Sequence, residues 1–225
     1  MSEIKTYQPW SIPVLHTTLP DILLDELIQL TDLIEKDKDR KSMNESLAGE
    51  IEEEWKIDNV LLTNISFKSY IIQLCWKYFN IISSQFYIKN NQVIPQELTF
   101  MKLTIENIQI IDAWFNNQKD NEYNPIHNHD GYFSGVLYLK IPEYMPSRKN
   151  EYQDGSICFV GNSSSSDDLF TASLFSILPK IGDIFLFPST LTHQVYPFRT
   201  TDGKGIRRSL SYNLDAKLKI QKRFR

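Results

Sequence analysis

From Pro95 onward the chain is a succession of short apolar runs, rich in β-branched and aromatic residues and closed by Asn, Gly, Pro or Ser. That texture suits strands buried on one face and leaves no room for long helices. The runs fall at residues 98–105, 108–116, 126–130, 133–141, 156–160, 169–178, 183–188, 193–197 and 207–214. Eight or nine strands within about 120 residues predict two packed antiparallel sheets, a jelly roll of the double-stranded β-helix kind. Between them, 142–155 and the serine-rich 161–168 (GNSSSSDD) read as loops, the second flexible by composition and placed where a lid could form.

The N-terminal part has a different period. Over 21–36, Ile22, Leu23, Leu27, Leu30 and Ile34 recur every three or four residues, opposite a polar face of Asp25, Glu26, Gln29 and Asp32. This is an amphipathic helix. A second helix is expected from 66 to about 86, with Phe67, Tyr70, Ile71, Leu74, Tyr78, Ile81 and Ile82 as its stripe. The charged stretch 37–54 between them reads as an irregular arm, with Glu50, Glu52, Glu53 and Glu54 coating a solvated face. The expected organisation is one domain: 1–95 a helical support packed on a sheet, 96–225 the β core.

A net charge of −4 and a pI near 5.6 argue against a surface built to wrap nucleic acid. Lys217, Lys219, Lys222, Arg223 and Arg225 crowd the C-terminus and read as a solvated tail, the one feature that leaves nucleic acid open. Cys75 and Cys158 lie in apolar segments and read as reduced core thiols. The polar first nine residues lack a signal peptide's apolar region, and no apolar stretch approaches the roughly 18–20 residues that cross a bilayer. A cytoplasmic protein is expected.

Histidine is scarce, and three of the four are arranged for chemistry. His127-Asn128-His129 is followed by His193, whereas His16 reads as structural. In an extended strand residues i and i+2 share a face, so His127 and His129 can reach one point, and Asn124-Pro125 holds the chain extended before them. Neutral imidazoles suit Fe, Zn, Cu or Ni. The usual oxygenase triad holds two histidines and a carboxylate. Here either three imidazoles bind the metal, or His129 and Asp130 divide the work. Strand parity favours His127, His129 and His193, leaving Asp130 to orient a ligand or open the turn into Gly131.

Past His193 comes Arg207-Arg208-Ser209. Alternation puts Arg207, Ser209, Ser211 and Asn213 on one strand face and Arg208, Leu210 and Tyr212 on the other. A guanidinium offers two parallel donors to a carboxylate; Ser209 adds a neutral donor, and Tyr138 is placed to add another. Fe(II) with 2-oxoglutarate satisfies both halves, its keto acid end chelating the metal and its distal carboxylate held by Arg207. Trp114, Asn116, Tyr123 and Asn124 are candidates for the substrate entrance.

With these residues in view, residues 112–213 resemble a family of 2-oxoglutarate/iron(II)-dependent oxygenases common in bacteriophages and bacteria. The resemblance rests on Trp114-Phe115-Asn116, His127-Asn128-His129, Ser134-Gly135-Val136-Leu137-Tyr138 and Gly155-Ser156-Ile157-Cys158-Phe159. It continues through Pro179-Lys180-Ile181-Gly182-Asp183, Phe187-Pro188-Ser189, His193 and Arg207 to Asn213. It implies a double-stranded β-helix with iron at its mouth, H-x-H in place of the commoner H-x-D, His193 as distal ligand, and Arg207 with Ser209 as the 2-oxoglutarate anchor. The implied activity is a hydroxylase that couples oxidative decarboxylation of 2-oxoglutarate by O₂ to C–H oxidation of a substrate the sequence does not identify. Two rivals stand beside it. A cupin-type dioxygenase also uses H-x-H with a distal His, but Phe133 and Ser134 stand where its Glu belongs and Arg207 has no part in it. A catalytically silent, metal-stabilised jelly-roll binding or virion-associated protein is the other.

Overall fold

A computed structural model describes residues 5–7, 12–89, 101–146, 154–161 and 174–222. Seven strands form the larger sheet. Its members are β1 (Lys5–Tyr7), β2 (Val14–Thr18), β3 (Glu54–Lys56), β4 (Met101–Gln118), β6 (Phe133–Lys140), β9 (Asp183–Pro188) and β11 (Arg207–Lys222), in the order β1-β2-β9-β6-β11-β4-β3. The smaller sheet runs β5-β10-β7-β8, from β5 (Asn124–His127), β7 (Ile157–Val160), β8 (Leu174–Ile177) and β10 (His193–Val195). Pairing is antiparallel throughout the described strands. The expected two-sheet jelly roll is the fold.

Apolar residues fill two layers. Val14, Val136, Tyr138, Ile157, Phe159, Phe185, Phe187, Leu191 and Val195 pack between the sheets. On the outer face of the larger sheet, Phe115, Leu137, Leu210, Tyr212 and Leu214 meet α1 (Asp21–Lys36), α2 (Asn59–Asn64) and α3 (Phe67–Lys89) through Leu27, Leu62, Phe67, Ile71, Leu74 and Tyr78. Each such side chain, fully buried, contributes roughly 1.5–3 kcal/mol. Gly135 is required by this packing: it pairs with Tyr212 across β6 and β11, and a Cβ there would fall on the phenol ring. Cys75 and Cys158 are buried and unpaired, as read.

Several expectations change. The runs 98–105 and 108–116 are, over their described part, the single strand β4; Asn107 adopts a left-handed φ of 54°, and the pairing with β11 shifts register opposite it. A lone Asn tolerates that conformation, so the strand bulges rather than breaks. The basic residues Lys217, Lys219 and Lys222 are not a tail: they belong to β11, opposite Glu106, Thr104 and Met101 of β4. The N-terminal stretch is not only helical, because β2 and β3 pair into the larger sheet. In α1, Ile22 is 76% exposed, and Asp32, assigned to the solvated face, turns toward the sheet. The serine run 162–168 lies outside the described residues.

That turn of Asp32 has a cause on β11. Arg208 is buried on the outer face of the sheet, over the Phe115 ring. Its Nε donates to Asn117 Oδ1 (2.7 Å), Nη1 to Asp32 (2.5 Å) and Thr31 Oγ1 (3.2 Å), and Nη2 to Glu35 (2.7 Å). Lys140 reaches the same Asp32 oxygen at 2.5 Å. Burial works to raise the Asp32 pKa, but hydrogen bonds and charge from Lys140 and Arg208 outweigh it and hold the carboxyl below its usual range. The helix is thus tied to the sheet by this guanidinium together with the Lys140 ammonium and the Asn117 amide, which donates to Glu35 at 2.7 Å.

Candidate metal and co-substrate site

The smaller sheet brings the histidines together. His127 ends β5 and His193 begins β10, and the two stand directly opposite each other across that pair. His129 lies just past β5, where its backbone N–H donates to Ser189 O at 3.0 Å. Strand parity expects a strand that continues through His129; the chain instead leaves β5 after His127, and an irregular segment carries His129 into the cavity wall. Ring centroids are 4.3 Å apart for His127 and His193, 4.8 Å for His127 and His129, and 5.0 Å for His129 and His193. The three ligand nitrogens lie within 4.8 Å of one another. Asp130 is exposed and outside this group.

Tautomers follow from the carbonyls. His127 Nδ1 lies 2.7 Å from Pro125 O, and His193 Nδ1 lies 2.9 Å from Leu191 O. A carbonyl only accepts, so each Nδ1 carries the proton and each Nε2 keeps its lone pair. Burial favours the neutral rings. It lowers the His127 pKa, pushes His129 down to about 4 with help from His127, and takes His193 well below the ordinary range. Neutral rings with fixed lone pairs at this spacing suit one transition-metal ion bonded at about 2.1 Å, after sub-ångström adjustment.

Arg207 lines the same cavity, of about 160 Å³, as do Tyr138, Ser209, Trp114 and the three histidines. It is 1% exposed. Its Nη1 donates to Gly155 O at 2.5 Å and its Nη2 to Gln118 Oε1, both neutral acceptors. No carboxylate pairs with it among the described residues, so its charge is buried without a counter-ion. Arg207 Nε and the Tyr138 hydroxyl are buried with no hydrogen-bond partner among those residues, and the guanidinium carbon stands 5.7 Å from the Tyr138 ring centre. Buried charge and buried donors in this state call for an anion with several acceptor oxygens. A dicarboxylate fits them. Ser209 Oγ, expected as a donor beside Arg207, donates to Asn116 Oδ1 at 2.5 Å, whereas the Tyr138 hydroxyl has no partner among the described residues.

Other candidates divide. Trp114 is buried, lines the cavity and tilts against His129 at 5.8 Å. Asn116 and Asn124 line the cavity too, while Tyr123 sits on an adjoining surface hollow. Ser46, Leu47 and Ala48 form part of the wall. His16 stacks on Phe185 at 4.6 Å and pairs with Asp183 at 2.9 Å, away from the metal group.

One wall residue was not legible. Glu54, assigned to a solvated acidic face, is 1% exposed and lines the cavity. In the run Glu52-Glu53-Glu54 nothing marks the third residue as different. Only strand alternation through Trp55 and Lys56 separates the buried position from its neighbours, and three residues are too few to show it.

Comparison with known proteins agrees with this geometry. Residues 112–213 match the family described as "Putative 2OG-Fe(II) oxygenase". No curated protein matches the sequence. Among solved structures, a Pseudomonas putida prolyl-4-hydroxylase is similar over 88% of this chain and 90% of its own, at 14% identity and a TM-score of 0.51, which shows a shared fold. A 2OG-Fe(II) oxygenase family oxidoreductase from Burkholderia pseudomallei (14% identity, 89% and 84% covered, TM-score 0.46) matches less well in shape. So does a viral collagen prolyl hydroxylase from Paramecium Bursaria Chlorella virus-1 (17%, 88% and 92%, 0.40). No helix among the described residues is long and apolar enough to cross a membrane. The match to that family thus spans the same residues, 112–213, over which the sequence itself resembles such oxygenases.

Proposed function

We propose that the protein is a hydroxylase whose iron is held by His127, His129 and His193 and whose 2-oxoglutarate is held by Arg207 and Tyr138. One observation carries this reading: a cluster of neutral imidazoles and an uncompensated buried arginine share a single cavity. Iron(II) held by these three histidines would supply O₂ activation, coupling cleavage of 2-oxoglutarate to succinate and CO₂ with insertion of the other oxygen atom into a substrate C–H bond.

The protein's own contribution is placement. Pro125 O and Leu191 O hold the protons on Nδ1 of His127 and His193 and aim both Nε2 atoms at one point. Arg207 binds the distal carboxylate, and Gly155 O and Gln118 fix the guanidinium plane. Tyr138 donates its free hydroxyl to the same carboxylate. Phe187, Ile157 and Val195 line the apolar side of the cavity and keep water from it.

Anaerobically purified protein given iron(II), 2-oxoglutarate and then O₂ should form succinate slowly without added substrate. His193→Ala and Arg207→Met should each abolish it. Oxygen uptake that ignores 2-oxoglutarate would favour cupin chemistry instead, and metal binding with neither activity a silent scaffold.

A further inference from the structure

The larger sheet carries a polar row across the floor of the cavity. Register aligns Glu54 on β3 with Asn116 on β4, Asn116 with Ser209 on β11, and Ser209 with Tyr138 on β6. Ser209 donates to Asn116, and Asn116 hydrogen-bonds the Glu54 carboxyl. At strand spacings near 4.8 Å, Glu54 is roughly 10 Å from β11 and farther from Tyr138. The co-substrate anchor therefore occupies one end of the row and Glu54 the other.

Glu54 Oε2 is buried without a hydrogen-bond partner among the described residues. Among the described residues that line the cavity, Glu54 is the only acid and Arg207 the only fixed cation. Room is reserved for it: a Cβ at Gly49 would lie 2.9 Å from Glu54 Oε1 and would collide with Asn124 Oδ1. Trp114, two residues from Asn116 on the same face of β4, adds an aromatic surface. A buried carboxylate oxygen with no partner among the described residues, in a cavity that also presents an indole, is a receptor for a cation.

We propose that Glu54 recognises the primary substrate of this site, and that the substrate presents a cationic nitrogen, an ammonium or guanidinium, to the end of the cavity opposite Arg207. The proposal rests on the hydroxylase reading for the word substrate, but not for the binding it predicts. Burial pushes the Glu54 pKa up to about 7, against the pull of the Asn116 hydrogen bond and with the nearby charge of Glu122. A cation that enters would hold the group ionised, and the pair would then be desolvated together.

The test is a titration of the full-length protein, without iron or 2-oxoglutarate, at pH 8 where Glu54 is ionised. The probes are butylguanidinium and N-butylurea, which share a shape and differ in charge, and binding is read by ligand-observed NMR. Wild-type protein should bind butylguanidinium at least ten-fold more tightly than the urea. Glu54→Gln, nearly isosteric, should lose that preference while melting at a temperature within a few degrees of wild type. Equal affinity of the two probes in wild-type protein would overturn the proposal without recourse to any variant, and so would a preference that survives in Glu54→Gln. Because the titration uses neither iron nor 2-oxoglutarate, absence of succinate formation would count against the hydroxylase reading alone.

Discussion

Two adjacent arginines should respond in opposite ways to the same substitution. Arg208 is 2% exposed and uses Nε, Nη1 and Nη2 on Asn117, Asp32, Thr31 and Glu35. Removing one member of a buried ion pair costs about 3–5 kcal/mol. Asp32 and Glu35 are 37% and 36% exposed and can regain water, so Arg208→Met should cost less, about 2 kcal/mol, mostly for Asn117 Oδ1 left buried without its donor. For a chain of this size that is a fall in Tm of about 4–8 °C. Arg207 is the contrary case, a buried charge facing neutral acceptors. Arg207→Met relieves that charge at the expense of two hydrogen bonds, so stability of the metal-free protein should change by less than about 1 kcal/mol in either direction. Affinity for 2-oxoglutarate should separate the pair again. Loss of a charge-assisted clamp weakens binding by about 10- to 100-fold in Arg207→Met, with little change in Arg208→Met. Urea denaturation and calorimetric titration of both variants measure all four quantities. An Arg208→Met variant as stable as wild type, or one that loses 2-oxoglutarate as Arg207→Met does, would refute the division of labour across β11.

Other outcomes follow from the same geometry. The histidine cluster is neutral when folded, with His129 at about 4, against about 6.5 when unfolded. Unfolded chain therefore takes up more protons below pH 6.5, and metal-free protein should lose stability as pH falls from 6.5 toward 4. His129→Gln should flatten that slope in urea melts, and an unchanged slope would place the titration elsewhere. Tyr138→Phe removes a hydroxyl with no partner among the described residues; stability should hold, while the Kd for 2-oxoglutarate rises about five- to ten-fold by calorimetry. Gly135→Ala drives a methyl into the Tyr212 ring and should cost about 1–3 kcal/mol, partly recovered when Tyr212→Leu is added. Recovery failing in the double variant would assign the cost to the β6 backbone instead.

What the sequence made legible is what repeats with a short period. Alternation placed Arg207, Ser209 and Ser211 on the cavity side of β11 and Leu210 and Tyr212 on the core side, as the structure has them. The histidine spacing identified the cluster, although His129 lies beyond the end of β5. The polar assignments fared worse, because partners come from distant elements. Asp32 reads as solvated until Arg208 is set against it, and Ser209 reads as a free donor until Asn116 takes its proton. Glu54 is the extreme instance: its burial comes with the pairing of β3 on β4, a strand far from it in the chain and outside the helix-and-arm pattern that surrounds it.

The cavity is assembled from two lengths of chain with separate duties. The residues proposed to hold metal and co-substrate all lie within 112–213, while Ser46, Leu47, Ala48 and Glu54 come from the arm that follows α1, anchored by the bridge from Glu50 to Tyr123. If Glu54 recognises the substrate as proposed, chemistry and molecular choice are encoded apart. Drift in the arm can re-aim the enzyme at new molecules while the oxidising apparatus stays untouched, so close relatives with identical histidines and arginine need not share a substrate.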